Sequence, residues 1–341
     1  MTRPVWRLQA VSALAIWYAL LAGFAWMAPY SWREQHREYA SAPPTTIRLV
    51  DPTGVWRMPF VCSLAPAPDS PGSYREDCAV RHDVWLFGRA QDGRMVILCP
   101  EQPGVLFLFG TDELGRDIFS RSLAGGLVTF ATGLVATLVA LFLALLGGSL
   151  AGLLGGWPDL LISRGTELLM ALPALYLLLA LRAALPIQTP PLLAFALAVG
   201  LISLLGWARP ARLLRGVVMS TRGEGYVMAA RGFGAGPLYL LRKHILPRLR
   251  GVLGAQAAVL LPQFMLVEVA LSFLGLGVAE PLPSWGTMLS SIQYDLVADR
   301  RWWLGFPAIL LTASILISGR VARAMELGSQ PAGGAPRETT P

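Results

Sequence analysis

Charged residues are scarce in this sequence. Aspartate, glutamate, lysine and arginine make up only 14% of the 341 residues, whereas hydrophobic residues make up 54%. Soluble globular domains carry about 25% charged residues, so this balance excludes an ordinary soluble protein. Lipid must form part of the solvent, and membrane lipid is therefore an expected partner.

Histidine and cysteine are also rare, and this limits the chemistry available to the chain. The three histidines, His36, His82 and His244, are not next to a recognisable nucleophile motif. The three cysteines, at positions 62, 78 and 99, lack the spacing of a zinc site. We therefore expect no catalytic residue and no metal site in this chain.

A phosphate-binding loop of the form G-x-x-x-x-G-K-[ST] is absent as well. This loop is the usual cradle for the β- and γ-phosphates of ATP. We therefore expect no cofactor in this chain, and any ATP-driven process needs the nucleotide on another chain.

Six stretches are apolar and long enough to cross a membrane, because spanning takes roughly 20 residues at about 1.5 Å of rise each. They are residues 8–30, 122–158, 165–181, 183–208, 251–279 and 302–319. The first has a cleaved signal peptide as its alternative, but it exceeds the roughly 7 to 15 apolar residues of a signal core. No A-x-A site follows it, which favours a retained helix. The sequence predicts an all-α integral membrane protein with about six transmembrane helices.

The positions of the basic residues predict the orientation. Residues 209–250 hold nine basic residues and one acid, Glu224. Arginine and lysine are retained on the cytoplasmic side of short loops, so this segment and both termini are expected there. Arg300 and Arg301 are an exception, since six spans place them outside. This distribution accounts for the net charge of +7 without a nucleic-acid partner.

Residues 31–123 are expected on the opposite side. They carry ten basic and twelve acidic residues, a balance consistent with translocation. Residues 47–50 and 84–87 have the composition of short strands, which predicts a small, β-rich extracytoplasmic insert. Two of the three cysteines are able to form a disulfide there, while three reduced thiols are the open alternative.

The loop at residues 224–251 is too apolar for a plain connector. Tyr226, Met228 and Phe233, with small residues between them, predict a short helix that ends at Gly234. An exposed helix with a small face is suited to another protein's groove. The alternative is an interfacial helix that rests on basic anchors.

This loop resembles the signature of binding-protein-dependent ABC importer permeases, in which Glu-Ala-Ala is followed by three residues, a glycine and Ile-x-Leu-Pro or a close variant. Here Met228 stands in place of the glutamate. The resemblance implies contact with an ATPase subunit through this set of residues: Glu224, Tyr226, Ala229, Ala230, Gly232, Gly234, Ile245, Leu246 and Pro247.

Two further segments are similar to the dipeptide, oligopeptide and nickel permease family. FGTDELGRD at residues 109–117 looks like the stretch before its second span, and it implies docking of a binding protein by Asp112, Glu113, Arg116 and Asp117. A solvated helix cap is the alternative, with Asp112 capping the helix and Arg116 paired with acids.

LSFLGLG at residues 271–277, with PSWG at 283–286, looks like the outer end of the family's fifth span. Phe273, Gly275 and Gly277 are candidates for an outer gate, with a plain helix terminus as the alternative. Glu268 lies deep in the same apolar stretch and is a candidate for the translocation path or for an interhelical hydrogen bond. Glu167 is closer to Arg164 and is expected at the cytoplasmic interface.

The resemblance implies a type I ABC importer fold in a bacterial inner membrane. Its domains are expected to be a transmembrane helix at 1–30, the insert at 31–123, a permease core at 124–326 with coupling loop 209–250, and a disordered cytoplasmic tail at 327–341. It implies as partners a second permease, two ABC ATPases that hold ATP and magnesium, and an extracytoplasmic solute-binding protein. The function it implies is peptide import by alternating access; nickel or another small solute, or a membrane-anchored enzyme or assembly factor, are the alternatives.

Overall fold

The computed structural model describes residues 3–51, 54–67, 74–90, 93–184, 190–278, 280–298 and 301–329. Helices dominate this part of the chain, and one antiparallel sheet follows the first helix. The helices are α1 (Arg3–Trp26), α2 (Ile118–Leu154), α3 (Gly156–Ala171), α4 (Ala174–Ala183), α5 (Pro191–Gly206), α6 (Ala208–Arg222), α7 (Gly225–Gly232), α8 (Pro237–Leu240), α9 (Leu246–Phe273), α10 (Trp285–Ala298) and α11 (Phe306–Ser329).

Four of these helices are long and apolar enough to cross a membrane. The qualifying segments lie in α1, α2, the continuous run from α8 through α9, and the last helix. Helices α5 and α6 meet at a bend of 44° and make a fifth candidate if they form one span. The structure therefore has four or five candidate spans among the described residues, and the predicted count of six stays a prediction.

The apolar stretch at residues 165–181 is broken in the structure. Helix α3 ends at Ala171, and Leu172 is extended with a ψ of 140° immediately before Pro173. Proline disfavours a helical conformation in the residue before it, so the chain restarts as the short helix α4.

At the C-terminus, α11 continues to Ser329, three residues into the predicted tail. Residues 330–341 lie outside the described residues.

Helix α2 is the packing centre of the helical region because glycines let its neighbours approach its backbone. A Cβ on Gly133 would lie 2.6 Å from Cγ of Met265 on α9, and one on Gly148 would lie 2.7 Å from the carbonyl oxygen of Ala211 on α6. Small residues give membrane helices close van der Waals contact in the absence of a hydrophobic driving force. Helices α6 and α9 are therefore held against different stretches of one helix.

The sheet contains β1 (Arg48–Val50), β2 (Trp56–Pro66), β3 (Tyr74–Arg89) and β4 (Met95–Pro100), in that order across the sheet. The two strands predicted from the sequence coincide with β1 and with part of β3. Cys62 and Cys78 form a disulfide between β2 and β3, and Cys99 is a free thiol. This decides between the two alternatives for the cysteines in favour of one bridge.

The segment between α1 and α2, which contains the sheet, is joined to the ends of these helices at two places. The backbone N–H of Ile97 on β4 donates to the carbonyl oxygen of Met27, one residue beyond α1, at 3.0 Å. Near the start of α2, the N–H of Thr111 donates to the carbonyl oxygen of Ala42 at 2.9 Å. Strand β4 therefore lies beside the C-terminal end of α1, and the segment that precedes β1 lies beside the N-terminal end of α2.

Candidate functional site

The segment at residues 224–251, which lies almost wholly within the predicted coupling loop at 209–250 and is called the coupling loop below, contains α7, α8 and the beginning of α9. A π-helical turn, Leu241–Ile245, joins α8 to α9. Glu224 occupies the N-cap position of α7, but its side chain makes no capping hydrogen bond; it lies 3.8 Å from Arg248 instead. The short helix predicted in this loop is therefore α7, and it ends just before Gly234, as predicted.

A few buried side chains hold this loop to the helices. Val227 is the buried residue of α7, and Leu240 is that of α8. Ile245 and Leu249 are fully buried in a cluster with Leu214 of α6 and other residues of α2 and α6. Leu246 is half-buried, whereas Pro247 is exposed in the first turn of α9. The closing element of the sequence motif therefore fixes the loop to the core.

The other side of the loop is apolar and uncovered. Phe233, just after α7, is 94% exposed. Four more large apolar side chains are exposed here: Tyr226, Met228, Leu238 and Tyr239. Exposed apolar side chains grouped on one short loop indicate a site of interaction with another protein or with a membrane. Met228, which replaces the motif glutamate, is part of this surface.

Small residues leave room for a partner to approach α7. Ala229 and Gly232 are exposed and Ala230 is half-buried. Gly234 has a φ of +89°, and the N–H of Ala235 closes the turn on the carbonyl oxygen of Ala230 at 3.1 Å. A side chain at Gly234 would meet nothing within 4 Å, so its glycine is required by backbone conformation rather than by space.

A second group of motif residues lies at the start of α2. The Asp112 carboxylate accepts hydrogen bonds from the N–H groups of Leu114 and Arg116 at 3.0 and 2.9 Å, which closes a tight turn. The expectation that Asp112 caps the helix is wrong, because Asp117 is the cap and accepts the Ser120 N–H at 2.8 Å. The two acids are only five residues apart, and the tight turn puts Asp117, the second one, at the N-terminal end of α2.

Ion pairs join this turn to the loop after α9. Arg116 Nε donates to Asp112 Oδ2 at 2.7 Å, and its Nη1 lies 3.1 Å from Glu280 Oε2. Arg121, whose side chain is buried, donates to Glu280 Oε1 at 2.9 Å. The predicted pairing of Arg116 with nearby acids is confirmed. Glu113 is exposed and is available to another protein.

Asp117 is buried at this site, and its burial raises the pKa of its carboxyl group to about 6. Between the ordinary value of 3.8 and about 6, the folded protein holds a proton that the unfolded chain has released, so stability falls as the pH rises through this range. We predict that Asp117→Asn, which keeps a good cap without a charge, removes that part of the pH dependence. Thermal unfolding in detergent between pH 4 and 7 measures it. An unchanged pH profile in the variant would contradict the assignment to Asp117.

Helix α9 ends at Phe273, which is the terminus anticipated by the alternative interpretation of LSFLGLG. Gly275 has a φ of +72° and lies in open space. At Gly277 a Cβ would lie 2.6 Å from both Cα and N of Ser272, so only glycine fits there. Phe273 itself is partly exposed. Both glycines are therefore needed to reverse the chain at this helix end.

Glu268 is fully buried, one helical turn before that end. Its Oε1 accepts a hydrogen bond from Ser272 Oγ at 2.6 Å, and Ser272 Oγ in turn accepts the N–H of Val278 at 3.1 Å. Its other oxygen, Oε2, is buried and has no hydrogen-bond partner among the described residues. Glu268, Ser272 and Val278 therefore form a small polar cluster at this end of α9. Because the hydrogen bond with Ser272 lies within α9, the two predicted roles of Glu268, in the translocation path or in an interhelical hydrogen bond, stay predictions. Glu167 is exposed and lies 3.0 Å from Arg164.

Sequence reasoning missed the partners in these clusters. Glu280 is 159 positions from Arg121 and does not lie within a motif, so nothing local indicates the pair. Trp285 is fully buried and donates its ring N–H to the carbonyl oxygen of Ser122 at 2.8 Å. The sequence did carry one indication that Trp285 has a structural role, because Trp285 lies within PSWG, next to the predicted gate.

The coupling loop and the polar cluster around Glu268 lie at opposite ends of α9. At about 1.5 Å per residue, this 28-residue helix separates them by roughly 40 Å, which is more than the thickness of a bilayer's hydrocarbon core. A helical membrane protein with an exposed apolar loop at one end of a span and a glycine-bounded polar cluster at the other has the general form of a transport subunit.

Comparison with known proteins identifies the family. The family described as "Binding-protein-dependent transport system inner membrane component" matches residues 144–325, more than half of the chain. The chain therefore belongs to this family, and the family assignment predicted from the sequence is confirmed.

Relatives carry related names. The chain is 33% identical over 207 residues to the Dipeptide transport system permease protein DppC of Bacillus subtilis, covering 61% of this chain and 63% of the relative. It is 38% identical over 213 residues to the Probable D,D-dipeptide transport system permease protein DdpC of Escherichia coli, covering 62% and 69%. It is 36% identical over 200 residues to the Oligopeptide transport system permease protein OppC of Bacillus subtilis, covering 59% and 63%. The matched segments thus span under two thirds of the length of the Bacillus relatives.

Proposed function

We propose that this chain is the permease subunit of an ATP-driven importer for di- or oligopeptides. The observation that carries the proposal is the exposed apolar surface around Phe233 on the coupling loop, which has the chemistry of a docking site for another chain. The names of the relatives, which refer to dipeptide and oligopeptide transport, support peptides as cargo. Nickel or another small solute is the alternative cargo.

The proposed topology has six spans with both termini in the cytoplasm. Residues 209–250, with nine basic residues, would then lie inside, and the sheet would lie outside. The third span would be formed by α3 and α4 with their break at Pro173, and the fourth by α5, which meets α6 at the 44° bend where the basic segment begins. Within a protein interior, such breaks are tolerated where neighbouring helices satisfy the backbone.

The proposed mechanism is alternating access. Two ATPase subunits, which hold ATP and magnesium, would draw together on nucleotide binding and move α7. Because Ile245 and Leu249 are buried against α6, motion of the loop would pass to both α6 and α9. Helix α9 would carry that motion to the glycine turn at Gly275 and to the ion pairs of Glu280, opening the outer side toward a solute-binding protein.

The proposal is tested by purifying the chain in its complex and measuring uptake of a labelled dipeptide into proteoliposomes that contain ATP. Co-purification of a second permease and of an ATPase, with dipeptide uptake that depends on the binding protein, is expected. Uptake of nickel without dipeptide would support the alternative cargo. A chain that purifies without an ATPase would contradict the importer and favour a membrane-anchored enzyme or assembly factor.

We predict that Gly234→Leu uncouples transport. A non-glycine residue at a φ of +89° is strained by about 1–2 kcal/mol, and the strain would reshape the end of α7 without a clash elsewhere. Dipeptide uptake should fall by about 5- to 30-fold, the ratio that corresponds to 1–2 kcal/mol at about 1.4 kcal/mol per tenfold, while the amount of protein in the membrane stays the same. Gly165→Leu on α3, also in open space, is the matched control and should transport normally. Normal uptake by the Gly234 variant would count against the coupling role.

A further inference from the structure

Helix α3 has little packing of its own within this chain. Thr166 is its buried side chain, whereas Trp157, Leu161 and Leu168 are more than half exposed. The hydroxyl of Thr166 is used inside α3, where it donates to the carbonyl oxygen of Ser163 at 2.9 Å. Burial of apolar side chains therefore does little to fix the position of α3 against the other helices.

Two glycines join α3 to α2. Gly155 and Gly156 have φ values of +66° and +59°, a backbone region that favours glycine. A Cβ on Gly156 would meet nothing within 4 Å, and one on Gly155 would lie 3.7 Å from Nη1 of Arg222. Because glycine reaches many backbone conformations and this joint is in open space, α2 gives α3 no firm direction.

An ion pair ties the first turn of α3 to α6. Nη2 of Arg215 on α6 donates to Oδ2 of Asp159 at 2.6 Å, and Nε of the same guanidinium donates to Oδ1. Ser163, one turn further along α3, donates its hydroxyl to this carboxylate at 3.2 Å. A guanidinium fork bonded to both carboxylate oxygens has one favoured geometry. The pair therefore sets the orientation of the two helices as well as their separation.

The exposure of this pair argues that orientation is its main contribution. The side chains of Arg215 and Asp159 are 32% and 18% exposed, so water reaches both. Ion pairs that water reaches add little to the free energy of unfolding. Loss of the pair should therefore leave the fold intact and release α3 from α6.

Helix α6 is also the helix that the coupling loop contacts. Leu214, the residue before Arg215, is buried in one cluster with Ile245 and Leu249 of the coupling loop. Neighbouring positions on a helix point about 100° apart, at 3.6 residues per turn. Adjacent residues of α6 therefore contact the coupling loop on one side and α3 on another.

We propose that Asp159 and Arg215 are positioning residues that make α3 move with α6 when the coupling loop moves. The joint at Gly155 and Gly156 lets α3 turn against α2, and the ion pair makes that turn follow α6. Helix α3 begins the third span of the proposed topology, so the pair brings this span into the opening of the transport path. The inference rests on the proposed function, in which an ATPase subunit moves the coupling loop.

Transport per ATP hydrolysed tests the pair in the assembled transporter. Asp159→Asn, Arg215→Gln and the double variant are reconstituted in proteoliposomes with the binding protein, and dipeptide uptake and ATP hydrolysis are both measured. Each single variant should lower uptake by about fivefold at unchanged hydrolysis, a usual size for residues that couple two sites. The double variant should lose no more than either single variant, because both changes remove the same contact.

The matched control is Arg164→Gln. It breaks an ion pair that lies wholly within α3, between Arg164 and Glu167 at 3.0 Å, and it should transport normally. Normal uptake by both single variants overturns the proposal, and so do losses that multiply in the double variant. If uptake, hydrolysis and the yield of assembled complex fall together, the pair has only a structural role and the proposal is also wrong.

A distance measurement separates this inference from the proposed function. Spin labels are attached to Leu168→Cys on α3 and Met219→Cys on α6, two exposed positions, in a Cys99→Ser chain within the complex. The spread of distances between the labels needs no cargo. Asp159→Asn should widen this spread, and Arg164→Gln should not. An unchanged spread in Asp159→Asn contradicts the attachment of α3, whereas a widened spread in a complex that takes up no dipeptide contradicts the proposed function.

Discussion

Replacing Phe233 with aspartate is expected to release the ATPase subunits from the purified complex. The Phe233 ring is 94% exposed and packs on almost nothing within the chain, so the substitution should leave folding and membrane insertion unaffected. Aromatic anchors of protein interfaces typically contribute 2 kcal/mol or more, which corresponds to a loss of affinity of about 30-fold or greater. A buried charge in place of the ring adds a desolvation cost.

The measurement is the amount of ATPase that co-purifies with the permease, compared at equal permease yield. Trp56→Asp is the matched control, because Trp56 is also a largely exposed aromatic residue, at 76%, and lies on the sheet, outside the coupling loop. That variant should retain the ATPase. Full retention of the ATPase by the Phe233 variant would show that the ATPase contacts the permease elsewhere. That result would remove the main support for the proposed function.

Replacing Gly277 with alanine is expected to destabilise the C-terminal end of α9 severely. A Cβ there would lie 2.6 Å from backbone atoms of Ser272, so the last turn of the helix would have to move. That movement would also break the hydrogen bonds that Ser272 makes with Glu268 and Val278. Overpacking typically costs 1–3 kcal/mol, and the lost hydrogen bonds bring the expected cost to about 3 kcal/mol or more.

Gly275→Ala separates this steric effect from simple backbone strain. Gly275 has a positive φ but open space around it, so alanine there should cost only about 1–2 kcal/mol. Thermal unfolding of the two variants in detergent gives the comparison, and the Gly277 variant should melt at the lower temperature. If both variants melt at the same temperature, the close contact with Ser272 does not constrain the turn.

Local signals predicted α7 well. Its end depends on Gly234, whose conformation is a property of the residue itself, and its exposed rings follow from the apolar composition of a short loop. The strand at residues 84–87 was also predictable from β-branched and aromatic residues. Strand β2 was not identified, because Pro59 and Pro66 within it argue against a regular strand.

The features that the sequence did not predict depend on distant contacts or on bends. Arg121 and Glu280 are brought together only by the packing of α2 against the end of α9, and no spacing rule connects them. The break at Pro173 lies within an apolar stretch that reads as one span by hydropathy alone. Asp112 and Asp117 are equivalent as caps by sequence, and only the turn between them selects the second.

The glycines on α2 also determine which amino-acid substitutions this helix accepts. Gly133 and Gly148 face neighbouring backbones, so even alanine is excluded there by contact. Leu138, Phe142 and Leu146, spaced one turn apart, point outward and are exposed, so other apolar residues fit equally well. Among related sequences, the positions of α2 that face α6 and α9 should therefore keep small residues, whereas the exposed positions should vary. The two kinds of position should alternate with a period of about 3.6 residues.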